Sequence, residues 1–190
     1  MYRRYSRPFW QEPLFILIGI NLLVFLLVQG SPSLIIQLGI SPATFTSEPW
    51  TAVTSMFVHA DFYHILFNMI ALYFFGSYLV QVAGERAMLA IYFIGGIVGS
   101  LFFWLLGPDN SLAIGASGAI FAVGGALAVL RPMTRVIIFP IPIPMPLWIA
   151  VIGGGLLVSL ASNVAWEAHL GGLLTGIIAA LLLRRGRLRF

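Results

Sequence analysis

Gly115-Ala-Ser-Gly-Ala-Ile-Phe-Ala-Val-Gly-Gly-Ala-Leu-Ala-Val-Leu-Arg131 is the stretch that decides how the chain reads. Before its closing arginine it carries no charge, and its one side-chain hydroxyl is Ser117. A helix on the surface of a soluble protein needs a polar face. This one has none, so it reads as a helix buried in lipid and protein. From Ser117 to Arg131 is 131 − 117 = 14 steps. At about 1.5 Å per residue that is about 21 Å, against a hydrocarbon layer of about 30 Å. With Arg131 at one surface, Ser117 lies roughly 10 Å beneath the other. The approach, Gly107-Pro-Asp-Asn-Ser-Leu-Ala-Ile-Gly-Ala116, must then dip in as irregular backbone. Lipid tolerates that only where protein or a water-filled cavity surrounds it.

Outward from this segment the rest of the chain agrees. The 190 residues are 60% hydrophobic and 8% charged, with mean hydropathy +1.01. A soluble domain needs far more polar surface. Six apolar spans are expected, at about 13–29, 62–80, 87–106, 115–131, 145–162 and 167–183, making an all-α membrane protein in one domain over 1–190. The first run, Leu14 to Val28, follows Arg3, Arg4 and Arg7 and could mimic a signal peptide. Asn21 interrupts it and no small-residue cleavage site follows, so it is read as a first span. The connection Gly30 to Asp61 is long and holds Leu34-Ile-Ile and Trp50, which suits a partly interfacial segment. Between Arg131 and Pro146, prolines at 132, 140, 142, 144 and 146 forbid a regular helix.

The charges test the span count. All ten basic side chains are arginine, giving a net charge of +4. Arg3, Arg4 and Arg7 precede span 1, Arg86 joins spans 2 and 3, Arg131 and Arg135 join spans 4 and 5, and Arg184, Arg185, Arg187 and Arg189 follow span 6. Every arginine falls on one side of a six-span chain, while Glu48, Asp61, Asp109 and Glu167 fall on the other. The positive-inside rule then puts both termini in the cytoplasm. Arginines that flank apolar segments point to a membrane and not to nucleic acid. With no cysteine, disulfides, thiolate catalysis and Cys-ligated metals are excluded. Small residues recur at i+4 spacing, at Gly172, Gly176 and Ala180, at Gly95 and Gly99, and at Gly118, Ala122 and Ala126; they read as close helix packing. Trp10, Trp50, Trp104 and Trp166 fall near span ends, as an aromatic belt would.

Polar groups inside spans are costly and ask for a function. Four stand out: His64 and Asn68 in span 2, Ser117 at the start of span 4, and His169 at the start of span 6. These three spans run from outside to inside, so all four residues lie at similar depth below the outer surface. Ser117 sits between Gly115 and Gly118, which allow a sharp turn and close approach of a reacting carbonyl. A helix N-terminus there would aim free N–H groups at an oxyanion. The bland alternative is an N-cap serine in a packing turn. His169 can act as general base, or simply brace helices by bonding a backbone carbonyl. Glu167, two residues away, should point to another helix face, which favours a Ser–His dyad. His64 and Asn68, at i and i+4, share a face and can donate to an oxyanion, or glue span 2 to its neighbours. His59 reads as a surface or loop-bracing histidine. A zinc site from His59, His64 and His169 has no familiar spacing, so neither a metal nor a cofactor is expected.

His64-Ile-Leu-Phe-Asn68, Gly115-Ala-Ser117-Gly-Ala-Ile-Phe121 and Ala168-His169-Leu-Gly-Gly-Leu-Leu-Thr-Gly176 resemble the signatures of the rhomboid intramembrane serine proteases, in the right order and on the right spans. Glu85-Arg86, Tyr92 and Gly95 also fit, and the resemblance covers roughly residues 10 to 183. It implies a minimal, prokaryotic-looking six-helix bundle with Ser117 as nucleophile and His169 as base. His64, Asn68 and the Ser117 N–H would form the oxyanion hole, and Phe121 would pack on the imidazole where relatives often have tyrosine. Trp50 is followed by Thr51 where many relatives have arginine. The implied enzyme is a multi-pass protein of the cell membrane. It would cut single-span membrane proteins near the outer face, with substrate entering near spans 2 and 5. Two other classes compete. A non-catalytic rhomboid-like client binder would not need Ser117 and His169. A transporter would need a polar path through inner span halves that are almost purely apolar.

Overall fold

The computed structural model describes residues 12–138, 141–159 and 164–186. Its order is α1 (Pro13–Gln29), α2 (Pro32–Leu38), α3 (Thr51–Thr54), α4 (Phe62–Ala83), α5 (Glu85–Leu106), α6 (Ser117–Leu130), β1 (Arg135–Ile138), β2 (Ile141–Pro146), α7 (Leu147–Ser159) and α8 (Trp166–Arg184). The six expected spans correspond to α1, α4, α5, α6, α7 and α8. Of these, α4, α5 and α8 are long and apolar enough to cross a membrane, while α1, α6 and α7 are shorter apolar helices. The molecule is a helical bundle of the multi-pass kind. Arg3, Arg4, Arg7, Trp10, Pro140, Arg187, Arg189 and the outer end of the expected fifth span lie outside the described residues.

Local chemistry sets the helix ends. Pro13 and Pro32 open α1 and α2, where a missing N–H costs nothing. Asp61 caps α4 by accepting the His64 backbone N–H at 2.9 Å. The short α6 is the hub. Ten of its residues between Gly118 and Ala128 are buried, so it meets protein on every side and need not span lipid. Helix α8 lies along it, because Gly172 and Gly176 stand where any side chain would strike the carbonyls of Gly118 and Ala122. Helix α5 closes the other side, with Gly95 against Ala122. Leucines on α1, phenylalanines on α4 and Leu156 and Leu157 on α7 face outward, an inside-out distribution suited to lipid.

Two features go beyond the sequence expectations. The proline-rich connection is not merely irregular: β1 and β2 form an antiparallel pair with Val136 opposite Met145 and Ile138 opposite Ile141. Prolines 142, 144 and 146 alternate, so their missing N–H groups share one edge of β2 and leave the other edge free to pair. The fifth span accordingly starts at Leu147, two residues later than expected. At the same end of the bundle, the Tyr78 and Thr134 hydroxyls are 2.9 Å apart and join α4 to the hairpin. At the opposite end, the long first connection folds back onto the approach to α6. Ile40 and Ala113 exchange backbone hydrogen bonds of 3.0 and 2.8 Å.

Candidate active site

The approach to Ser117 is held before the serine is reached. Gly115 donates its N–H to the Ser55 carbonyl at 2.8 Å. Its φ of 117° is a conformation that side-chain-bearing residues rarely adopt. A Cβ there would also sit 2.6 Å from His64 Nε2. The Ala116 N–H donates to His59 Nε2 at 3.4 Å, and His59 Nδ1 reaches the Phe57 carbonyl at 3.2 Å. His59 is fully buried, so of the two readings the surface one is wrong and the bracing one stands. Burial, with a smaller contribution from nearby His64, lowers its pKa to about 4, against a weaker opposing effect of the Phe57 carbonyl. It is neutral near pH 7, with its proton on Nδ1 and a lone pair for Ala116.

Ser117 is the first residue of α6, where backbone N–H groups have no intrahelical partner. His169 comes from the first turn of α8 and lies in hydrogen-bond contact with it, Nε2 to Oγ, at 2.8 Å. Gly118 makes this approach possible, since the Ala168 carbonyl lies 3.2 Å from where its Cβ would be. Phe121, one turn on, stacks on the imidazole with ring centroids 4.3 Å apart and planes 30° apart. His64 and Asn68 stand on α4 beside them. Asn68 spends one amide N–H on the His64 carbonyl at 2.8 Å. The Ala60 N–H points at His64 Nδ1 at 3.4 Å, which leaves Nε2 to carry the proton as a donor. The rings of His59 and His64 meet edge to face at 5.0 Å.

Of the seven residues singled out in the sequence, Ser117 and Phe121 both contact His169, Gly118 lets the Ala168 carbonyl approach, Gly115 stands against His64, and Asn68 is bonded to the His64 carbonyl. Behind Ser117 a cavity of about 30 Å³ is lined by Ser55, Ser100, Gly96, Gly115 and Ala168, room enough for a water. Glu167 is buried, but the remaining imidazole nitrogen faces elsewhere: His169 Nδ1 is 3.1 Å from Ser159 Oγ on α7. Sequence reasoning missed Ser159. Its signal was available, as a hydroxyl near the end of the fifth span that the positive-inside reading puts on the same side as the other four polar groups. It also missed the bracing by Ser55 and Ile40, which backbone groups carry and side-chain patterns do not report.

The family model of the Rhomboid domain matches residues 46–186. The chain belongs to the rhomboid family. Among relatives, RHOMBOID-like protein 12, mitochondrial, of Arabidopsis thaliana is 35% identical over 74% of this chain and 48% of its own length. Rhomboid protein 1, mitochondrial, of Saccharomyces cerevisiae is 31% identical over 70% of this chain and 42% of its own. Putative rhomboid protease YdcA of Bacillus subtilis is 30% identical over 71% and 67%. This rhomboid chain thus matches less than half the length of the first two relatives. The matched range takes in the site residues described above, from Ser55 to His169.

Proposed function

We propose that this rhomboid is an intramembrane serine endopeptidase working through Ser117 and His169. The observation that carries the reading is the 2.8 Å contact between Ser117 Oγ and His169 Nε2, a nucleophile and base in reach of each other on helices buried together. Membership of the family and relatives named as rhomboid proteases support it.

In this reading Ser117 Oγ attacks the scissile carbonyl carbon while His169 Nε2 takes its proton. The tetrahedral oxyanion is met by the Ser117 N–H at the start of α6, by His64 Nε2–H and by Asn68 Nδ2–H. Collapse breaks the C–N bond as the imidazolium returns the proton to the leaving amine. Water, deprotonated by His169, then splits the acyl-serine ester and restores the hydroxyl. The cavity behind Ser117 can hold such a water within protein. Phe121 keeps the imidazole plane fixed on one side. No cofactor enters this sequence of steps.

The substrates are single-span membrane proteins cut near the outer face. The chain works as one domain of the cell membrane with both termini cytoplasmic, the side on which its arginines fall under the positive-inside rule. A serine-directed fluorophosphonate should label Ser117 in the folded protein. Ser117→Ala and His169→Ala should each abolish cleavage of a transmembrane substrate in proteoliposomes with melting unchanged. His64→Ala should lower kcat by about 10²-fold, the usual worth of one oxyanion donor. Folded protein that takes no label at Ser117 ends the proposal.

A further inference from the structure

The mechanism above uses one nitrogen of His169 and leaves the other without a role. A neutral imidazole has a single N–H. For Nε2 to take the Ser117 proton, that hydrogen must sit on Nδ1, and Nδ1–H needs an acceptor or the other tautomer competes. Among the described residues the acceptor in reach is Ser159 Oγ, at 3.1 Å. Resting on the Ser117–His169 reading, we propose that Ser159 is a positioning residue: it fixes the catalytic tautomer and ties the outer end of α7 to the imidazole, so that the pair is in register only while α7 is seated.

The packing of α7 gives this tie its weight. Its buried residues, Leu147, Ala150 and Val151, all lie in its first half. Towards the other end Leu156, Leu157 and Val158 are exposed. There the helix meets the site at two points. Gly155 lies against the Phe121 ring, whose Cε1 is 2.5 Å from where a Cβ would be, and that ring stacks on His169. Ser159 then reaches the imidazole directly. Displacement of this end removes the Nδ1 acceptor and frees the Phe121 ring together. A neutral hydroxyl also suits the place, since a carboxylate within a membrane carries a heavy desolvation cost. Buried Glu167, although near in sequence, is not what Nδ1 faces.

The test compares wild type with Ser159→Ala, Ser159→Thr and Ser159→Val in proteoliposomes. Thr and Val share a shape and differ in the hydroxyl. Fluorophosphonate labelling of Ser117, kcat and KM for a transmembrane substrate, and the ¹⁵N signals of His169 are read for each. Wild type and Ser159→Thr should show a protonated Nδ1 and similar turnover. Ser159→Ala and Ser159→Val should lose kcat by about 3- to 10-fold, the worth of one hydrogen bond, with KM unchanged and the two tautomers mixed. Ala and Val variants with wild-type kcat and an unaltered tautomer overturn the role of Ser159. So do Thr and Val variants that fall together, because shape and not the hydroxyl would then matter. Wild type that takes no label overturns the Ser117–His169 reading itself, and this one with it.

Discussion

The α6–α8 seam and helix α7 are both apolar, glycine-containing and adjacent to the same imidazole, yet they are built to opposite specifications. Along the seam, Gly172 and Gly176 stand directly on backbone carbonyls of α6. Nothing there can give way, because a carbonyl in a helix cannot rotate aside. In α7, a Cβ on Gly153 would meet only Ile149 Cγ2, at 3.9 Å. The residues that do the chemistry in our reading, Ser117 and His169, both stand on the seam. The residue we propose to position them, Ser159, stands on α7, whose buried residues lie in its other half. The difference sets a nucleophile and base fixed by backbone contacts beside a helix whose far half, among the described residues, meets the site only through Gly155 and Ser159.

The largest effect is expected from breaking the seam. Gly176→Val places branched carbons against the Ala122 carbonyl and must separate the two helices. It should cost about 3 kcal/mol or more, the upper end for overpacking, and abolish labelling at Ser117. Thermal melting in detergent measures the first and fluorophosphonate the second. A Gly176→Val protein that melts and labels like wild type would show that the seam is no tighter than α7.

Next in size is the brace at the end of the seam nearest Ser117. His59 accepts the Ala116 N–H, and a protonated ring could not. Because its pKa is lowered from 6.5 to about 4, the stability it contributes is fully present above pH 6.5 and is lost as pH falls towards 4. The drop amounts to about 3 kcal/mol at most, at about 1.4 kcal/mol per unit. His59→Gln should melt lower at pH 8 but lack this share of the acid dependence. Parallel pH profiles for the two proteins would remove His59 from the account. Gly115→Ala, at φ 117° and with His64 Nε2 in the path of the new methyl, should cost about 1–2 kcal/mol, as strained positive-φ sites do. It should also slow turnover by moving His64.

These residues also mark how far the sequence was legible. The apolar runs announced the helices, since lipid admits little else, and the shortness of the segment after Ser117 matches the 14-residue helix α6 that the serine opens. Motif spacing singled out His64, Asn68, Ser117 and His169 because polar groups are rare in apolar spans. The pairing of β1 with β2 was hidden because prolines show only what cannot form, and the alternation that frees one edge of β2 matters only once β1 is beside it. The burial of His59 was hidden for a similar reason. It depends on the first connection folding back through the Ile40–Ala113 bridge, a backbone contact with no side-chain signature. Ser159 escaped because its partner is ten residues on, across a helix end, where no helical periodicity links the two.

The smallest effect lies in α7, and it is the sharpest test of the comparison because its sign is opposite. Gly153→Ala adds a methyl into ordinary contact distance of Ile149 and, among the described residues, clear of every other helix. In a helix interior alanine is favoured over glycine by about 0.5–1 kcal/mol, chiefly by restricting the unfolded chain. The melting midpoint should therefore rise slightly, while Gly176→Val on α8 lowers it steeply. The labelling rate at Ser117 should not change, since position 153 touches neither Phe121 nor His169, unlike Gly155 two residues on. A destabilised Gly153→Ala protein would mean that α7 packs against a surface as close-fitting as the seam. The division between a close-fitting seam and a more open flank would then be lost.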